Sequence, residues 1–118
     1  MSSIRIMRLQ KELGRLFNAV INNKIRDPRL QWISFSAIKL SSDMQYAKVY
    51  FTFMNEKETP ESLTKLLTRS SGVFKKEIAT AKMMRIIPEL TFIYDSVEEE
   101  AGKLDKIFAK IEKEKKDY

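Results

Sequence analysis

The chain of 118 residues contains no cysteine and no histidine. Disulfide scaffolds, Cys/His zinc sites, thiol nucleophiles and every triad that needs an imidazole base are thereby excluded. Three glycines, Gly14, Gly72 and Gly102, are too few and too dispersed to write a Gly-rich phosphate loop. No uninterrupted apolar run approaches the roughly 18 residues that a membrane-spanning helix needs. The first residues, Met1 to Arg8, lack the h-region and small-residue cleavage site of a secretory signal. These absences lead us to expect a cytoplasmic protein without a membrane partner, and the lack of cysteine fits a reducing compartment. What is present is 43% hydrophobic residues, enough for a core, and 22 basic against 16 acidic side chains, a net charge of +6. At this length one domain is expected, with an acidic partner.

Apolar spacing predicts a helix over 3–25, with Ile6, Leu9, Leu13, Leu16, Phe17 and Val20 on one side and Arg8, Lys11 and Arg15 opposite. Pro28 ends it, because the residue before proline is pushed out of the helical region. Trp32 to Leu40 reads as a strand whose alternation slips by one at Ile38, which suggests a bulge or a strand covered on both faces. After a Ser41–Met44 turn, Gln45 to Met54 alternates cleanly, with Ala47, Val49, Phe51 and Phe53 on one face. Thr59-Pro60-Glu61 starts a second helix whose apolar side runs to Ala81. Ser70-Ser71-Gly72 in its middle predicts a kink or break. A left-handed Gly72 is expected there, so that Gly72→Ala destabilises the protein and weakens its binding. A third strand spans Leu90 to Tyr94, and Ser96 with Glu99 forms a capping box for a last helix that ends in a charged tail. The sum is an α+β fold, a three-stranded sheet covered by helices on one face. Residues 1–95 carry the binding domain, and 96–118 a C-terminal helix and tail of the same single domain.

The positive charge is uneven. Residues 1–95 hold 16 basic and 9 acidic side chains, whereas residues 96–118 hold 6 and 7. Between 65 and 85, Lys65, Arg69, Lys75, Lys76, Lys82 and Arg85 face only Glu77. An unbalanced run beside a helix break, where backbone N–H groups are freed, suits phosphate oxygens as well as it suits a solvated surface. Tyr46, Lys48 and Tyr50 share a strand face, an arrangement in which bases can stack beside an ammonium. The alternative reading, that these tyrosines pack against a helix with wet hydroxyls, is the preferred one.

Nothing points to catalysis. Glu98-Glu99-Glu100 falls in the first turn of the last predicted helix, where the macrodipole favours negative charge. No carboxylate set converges on a metal, so neither cofactor nor metal is expected.

Several segments match a known family in order and spacing. They are Lys24-Ile25-Arg26-Asp27-Pro28-Arg29-Leu30, Ser42 to Tyr50, Gly72-Val73-Phe74-Lys75-Lys76-Glu77-Ile78-Ala79, Arg85-Ile86-Ile87-Pro88-Glu89-Leu90-Thr91-Phe92, and Tyr94-Asp95. Over residues 4 to 105 the chain resembles the ribosome-binding factor A family of small-subunit assembly factors. The resemblance implies a type II KH-like fold (α-β-β-α-kink-α-β) without the GXXG loop of ordinary KH domains. The family's Ala-x-Gly kink is replaced here by Ser70-Ser71-Gly72. It further implies a monomeric, non-enzymatic protein that binds the free, immature 30S subunit and 16S rRNA, supports maturation of the rRNA 5′ end and aids growth in the cold. Lys65, Arg69, Lys75, Lys76, Lys82 and Arg85 are the expected main RNA contacts, with Arg26, Arg29 and Lys48 secondary. A nucleic-acid-binding module unrelated to ribosomes, and a protein–protein adaptor with a basic surface, are the alternatives from the residues alone.

Overall fold

The computed structural model describes residues 4–96. Helix α1 spans Ile4–Asn23, strand β1 Ile33–Leu40, strand β2 Tyr46–Phe53, helix α2 Pro60–Arg69, helix α3 Ser71–Thr80 and strand β3 Glu89–Tyr94. The expected last helix lies outside the described residues, as does Glu99 of its capping box.

Local chemistry accounts for each boundary. α1 stops two residues before the expected Ile25, and Asp27 is extended (φ −101°, ψ 118°) ahead of Pro28. The Asp27 carboxylate then accepts from the Arg29 backbone N–H and opens a single 3₁₀ turn, Pro28–Leu30. Trp32 falls outside β1 because its backbone is left-handed, φ 69°. At the start of α2 the Thr59 hydroxyl accepts from Ser62 N–H and the Ser62 hydroxyl accepts from Thr59 N–H, a reciprocal cap at 3.1 Å in each direction. β3 begins one residue earlier than expected, at Glu89.

The sheet order is β1-β2-β3. β2 is antiparallel to β1 and parallel to β3. A parallel pair needs a long crossover, and α2 with α3 supplies it. The phase slip in β1 is a bulge: the register shifts between Phe35 and Ala37, so Ile38 and Leu40 return to the inner face and Lys39 points out, opposite Lys48. Strand residues Phe35, Val49, Phe51 and Phe92 are buried with Leu13 and Phe17 of α1, Leu63 and Leu67 of α2, and Phe74 and Ile78 of α3. At the centre Phe17 stacks on Phe74 with ring centroids 4.6 Å apart, and Phe35 meets both rings edge-on.

All three described helices therefore lie on one face of the sheet. The opposite face, with Lys39, Tyr46, Lys48 and Tyr50, has none of them against it. Of the described helices, none is the one that the preferred reading packs against Tyr46 and Tyr50. The alternation of β2 places them on the face opposite Ala47, Val49 and Phe51.

Candidate nucleic-acid interface

The break between α2 and α3 falls at Ser70. Its backbone (φ −88°, ψ 2°) leaves the helical region while its N–H still donates to Leu66 and Leu67 carbonyls, at 3.1 and 3.0 Å. Val73 N–H then donates to Ser70 O at 2.9 Å and restarts the ladder. The expected left-handed glycine is overturned: neither Gly14 nor Gly72 has positive φ, and a Cβ at Gly72 would meet nothing within 4 Å. The chain turns at a serine in the bridge region, a conformation any residue can adopt.

On α2, Leu63, Leu66 and Leu67 are buried, which leaves Lys65 and Arg69, one turn apart, exposed on the outer side. On α3 the burial of Phe74 and Ile78 puts Lys76 outward. Lys75 lies on the flank of α3, and its Nζ sits 3.1 Å from Glu89 Oε1 at the start of β3. Its charge is thus already half-engaged within the fold. Lys82 is left-handed (φ 54°). Its N–H donates to Ala79 O and the next N–H, Met83, reaches back to Ile78 O at 3.4 Å, the bond pattern of a Schellman stop with lysine where glycine is usual. Arg85 follows in the loop and lines a groove with Arg5 and Arg8 of α1, along with Met44, Met83 and Met84.

The nine expected contacts are therefore not one patch. Lys65, Arg69 and Lys76 lie on the outside of the α2–α3 layer, and Arg85 joins the N-terminal turns of α1. Arg26 and Arg29 sit at the 3₁₀ turn, where Arg29 forks onto Asp27 at 3.1 and 2.9 Å. That pairing raises the pKa of Arg29, and the side-chain and backbone hydrogen bonds from Arg29 hold Asp27 below its usual range. Lys48 faces the other way, on the open side of the sheet. Two cations escaped the sequence reading. Arg5 lies one turn before Arg8 on α1, and the two meet Arg85 only through tertiary packing. Lys39 reaches its place because the bulge changes the phase of β1, a signal already visible in the apolar spacing of Ile38 and Leu40.

Among the described residues no three His, Cys, Asp or Glu side chains gather where a metal could sit. No described helix is long and apolar enough to cross a membrane. What the geometry offers is an exposed cationic layer suited to phosphate oxygens.

Residues 5–108 match the profile of the family described as Ribosome-binding factor A. The chain belongs to that family. A ribosome-binding factor A from Staphylococcus epidermidis is 31% identical over 98% of this chain and 100% of its own length. One from Staphylococcus carnosus is 34% identical over 96% and 98%. The crystal structure of ribosome-binding factor A from Thermus thermophilus superposes with a TM-score of 0.67 at 27% identity, covering 75% of this chain and 94% of that one. The Thermus thermophilus factor as fitted into a cryo-EM map of a 30S complex gives 0.63 at 27% identity, covering 75% and 93%. The fold is accordingly that of the family, α+β and KH-like, with the helix–break–helix of α2 and α3 in its expected place.

Proposed function

We propose that this protein is a non-enzymatic assembly factor that binds the free, immature 30S subunit as a monomer in the cytoplasm. It contacts 16S rRNA, supports maturation of the rRNA 5′ end, and matters most in the cold. Membership of the ribosome-binding factor A family carries this reading, and the Thermus relative fitted into a 30S complex supports it. The exposed cations Lys65, Arg69 and Lys76 are the primary phosphate contacts, with Lys82 after α3 and Arg85 near the start of α1 as further ones, and Arg26, Arg29, Lys48 and Lys75 secondary. Any effect on processing is indirect, through RNA held in a shape on which other factors act.

Gradient sedimentation of cell extract tests it. The protein should co-migrate with free small subunits and be scarce on translating ribosomes, and more so after a shift to low temperature. Migration only in the unbound fractions, or an even spread over polysomes, contradicts it. For purified protein, neutralising about four to six phosphates gives a log affinity against log salt slope of roughly −3 to −4 with single-stranded RNA.

A further inference from the structure

Lys39 and Lys48 stand directly opposite each other across the antiparallel β1–β2 pair, on the sheet face that no described helix covers. Like charges in that position oppose pairing. Lysine on an edge strand blunts edge-to-edge association, which accounts for Lys39 on β1 but not for Lys48 on the central strand. Among the described residues neither lysine has a carboxylate within ion-pair distance. The nearby acids are engaged: Glu89, across from Tyr46, is held by Lys75, and Asp95, at the far end of the face, accepts from the Ser36 hydroxyl at 2.6 Å. Along β2 the tyrosines flank Lys48, and Tyr46 is 60% exposed, which leaves its ring open to a stacking partner.

We infer that this open face is a second nucleic-acid surface, which takes a single-stranded RNA segment with bases on Tyr46 and Tyr50 and phosphates at Lys39 and Lys48. The inference rests on the assembly reading above for its RNA, and extends it. Ring planes beside ammonium groups are the combination that binds single strands without sequence preference. The outward side of α2–α3 and the open side of the sheet point in opposite directions, so the two surfaces take separate RNA segments. One molecule then holds two segments at once, a bridging role that a single binding face cannot fill.

Titration calorimetry of the full chain with octauridylate, alongside pelleting of the same protein on purified small subunits, tests the inference. The unsubstituted protein should bind two oligonucleotides. Tyr46→Ala with Lys48→Ala should remove one of them, weakening that site about tenfold or more, while the melting temperature stays unchanged because both side chains are exposed. Lys65→Glu with Arg69→Glu should remove the other. Tyr46→Phe should retain both, since the ring and not the hydroxyl carries the stacking. A single site in the unsubstituted protein overturns the inference, as does a stoichiometry indifferent to the Tyr46/Lys48 pair. If that pair affects pelleting but not oligonucleotide binding, the face meets a protein instead, and the inference also fails. In each of these cases normal pelleting of the unsubstituted protein leaves the assembly reading standing, whereas loss of that pelleting defeats the assembly reading itself.

Discussion

Asn18 and Phe35 exchange two hydrogen bonds: the Phe35 N–H donates to Asn18 Oδ1 at 2.8 Å, and Asn18 Nδ2 donates to the Phe35 carbonyl at 3.2 Å. Gln10 Oε1, two turns earlier on α1, accepts from the Leu40 N–H at 2.8 Å. Helix side chains thus satisfy the outer backbone groups of edge strand β1 on either side of its bulge. A peptide group left unpaired in a partly buried place costs about 1–3 kcal/mol. Asn18→Ala should therefore lower unfolding free energy by about 1–3 kcal/mol, read from urea denaturation with an unchanged m-value. A loss below about 0.5 kcal/mol would place those groups in contact with water.

Gly72 offers a test of where the helix break resides. Because its φ is not left-handed and a Cβ has open space, alanine should stabilise α3 by a few tenths to about 1 kcal/mol. Small-subunit binding should be unaffected, since the turn is made by Ser70. Thermal melts of Gly72→Ala decide it. A lower melting temperature would restore the glycine-dependent kink.

Lys82 is the converse case. A left-handed lysine carries a steric cost of about 1–2 kcal/mol that glycine avoids, partly offset by the greater unfolded-state freedom of glycine. Lys82→Gly should raise the melting temperature and at the same time flatten the salt dependence of RNA binding, by about 0.7 in the log–log slope if one phosphate contact is lost. Stability and binding moving together would contradict the assignment.

Two carboxylates should titrate low. Asp27 is held down by the hydrogen bonds from Arg29, and Asp43 by the hydrogen bonds from the Ser41 hydroxyl and the Gln45 N–H. A carboxylate depressed in the folded state adds stability above its unfolded pKa of about 4, and that contribution is lost as pH falls through the lower folded value. Carboxyl ¹³C titration should find both midpoints below about 4. A midpoint at or above that value for Asp43 would mean the Ser41–Gln45 turn is open in solution.

Much of this was legible in the residues. Period-two alternation in β2 and the phase slip in β1 anticipated the buried face and the bulge, because a one-residue slip moves every following side chain to the other face. Thr59-Pro60 marked the start of α2, though the reciprocal Ser62 cap was not foreseen. The conformation of the break was misread: Ser70-Ser71-Gly72 all weaken a helix, and propensity alone does not say which of them turns. Long-range pairings were beyond one-dimensional reading. Neither Lys75–Glu89, 14 residues apart, nor the approach of Arg85 to the Arg5/Arg8 pair of α1 leaves a local trace. The basic run of 65–85 looked like one patch, and the fold divides it.

That division gives the most direct measurement of the central claim, that the outer side of α2–α3 holds ribosomal RNA. Pelleting on purified immature small subunits should be compared for Lys65→Glu/Arg69→Glu, for Lys76→Glu and for Lys75→Gln across a salt series. The first two should weaken binding and flatten its salt dependence, while Lys75→Gln, whose charge already serves Glu89, should change it least. Unchanged pelleting of the Lys65/Arg69 variant, or the largest loss at Lys75, would contradict the account.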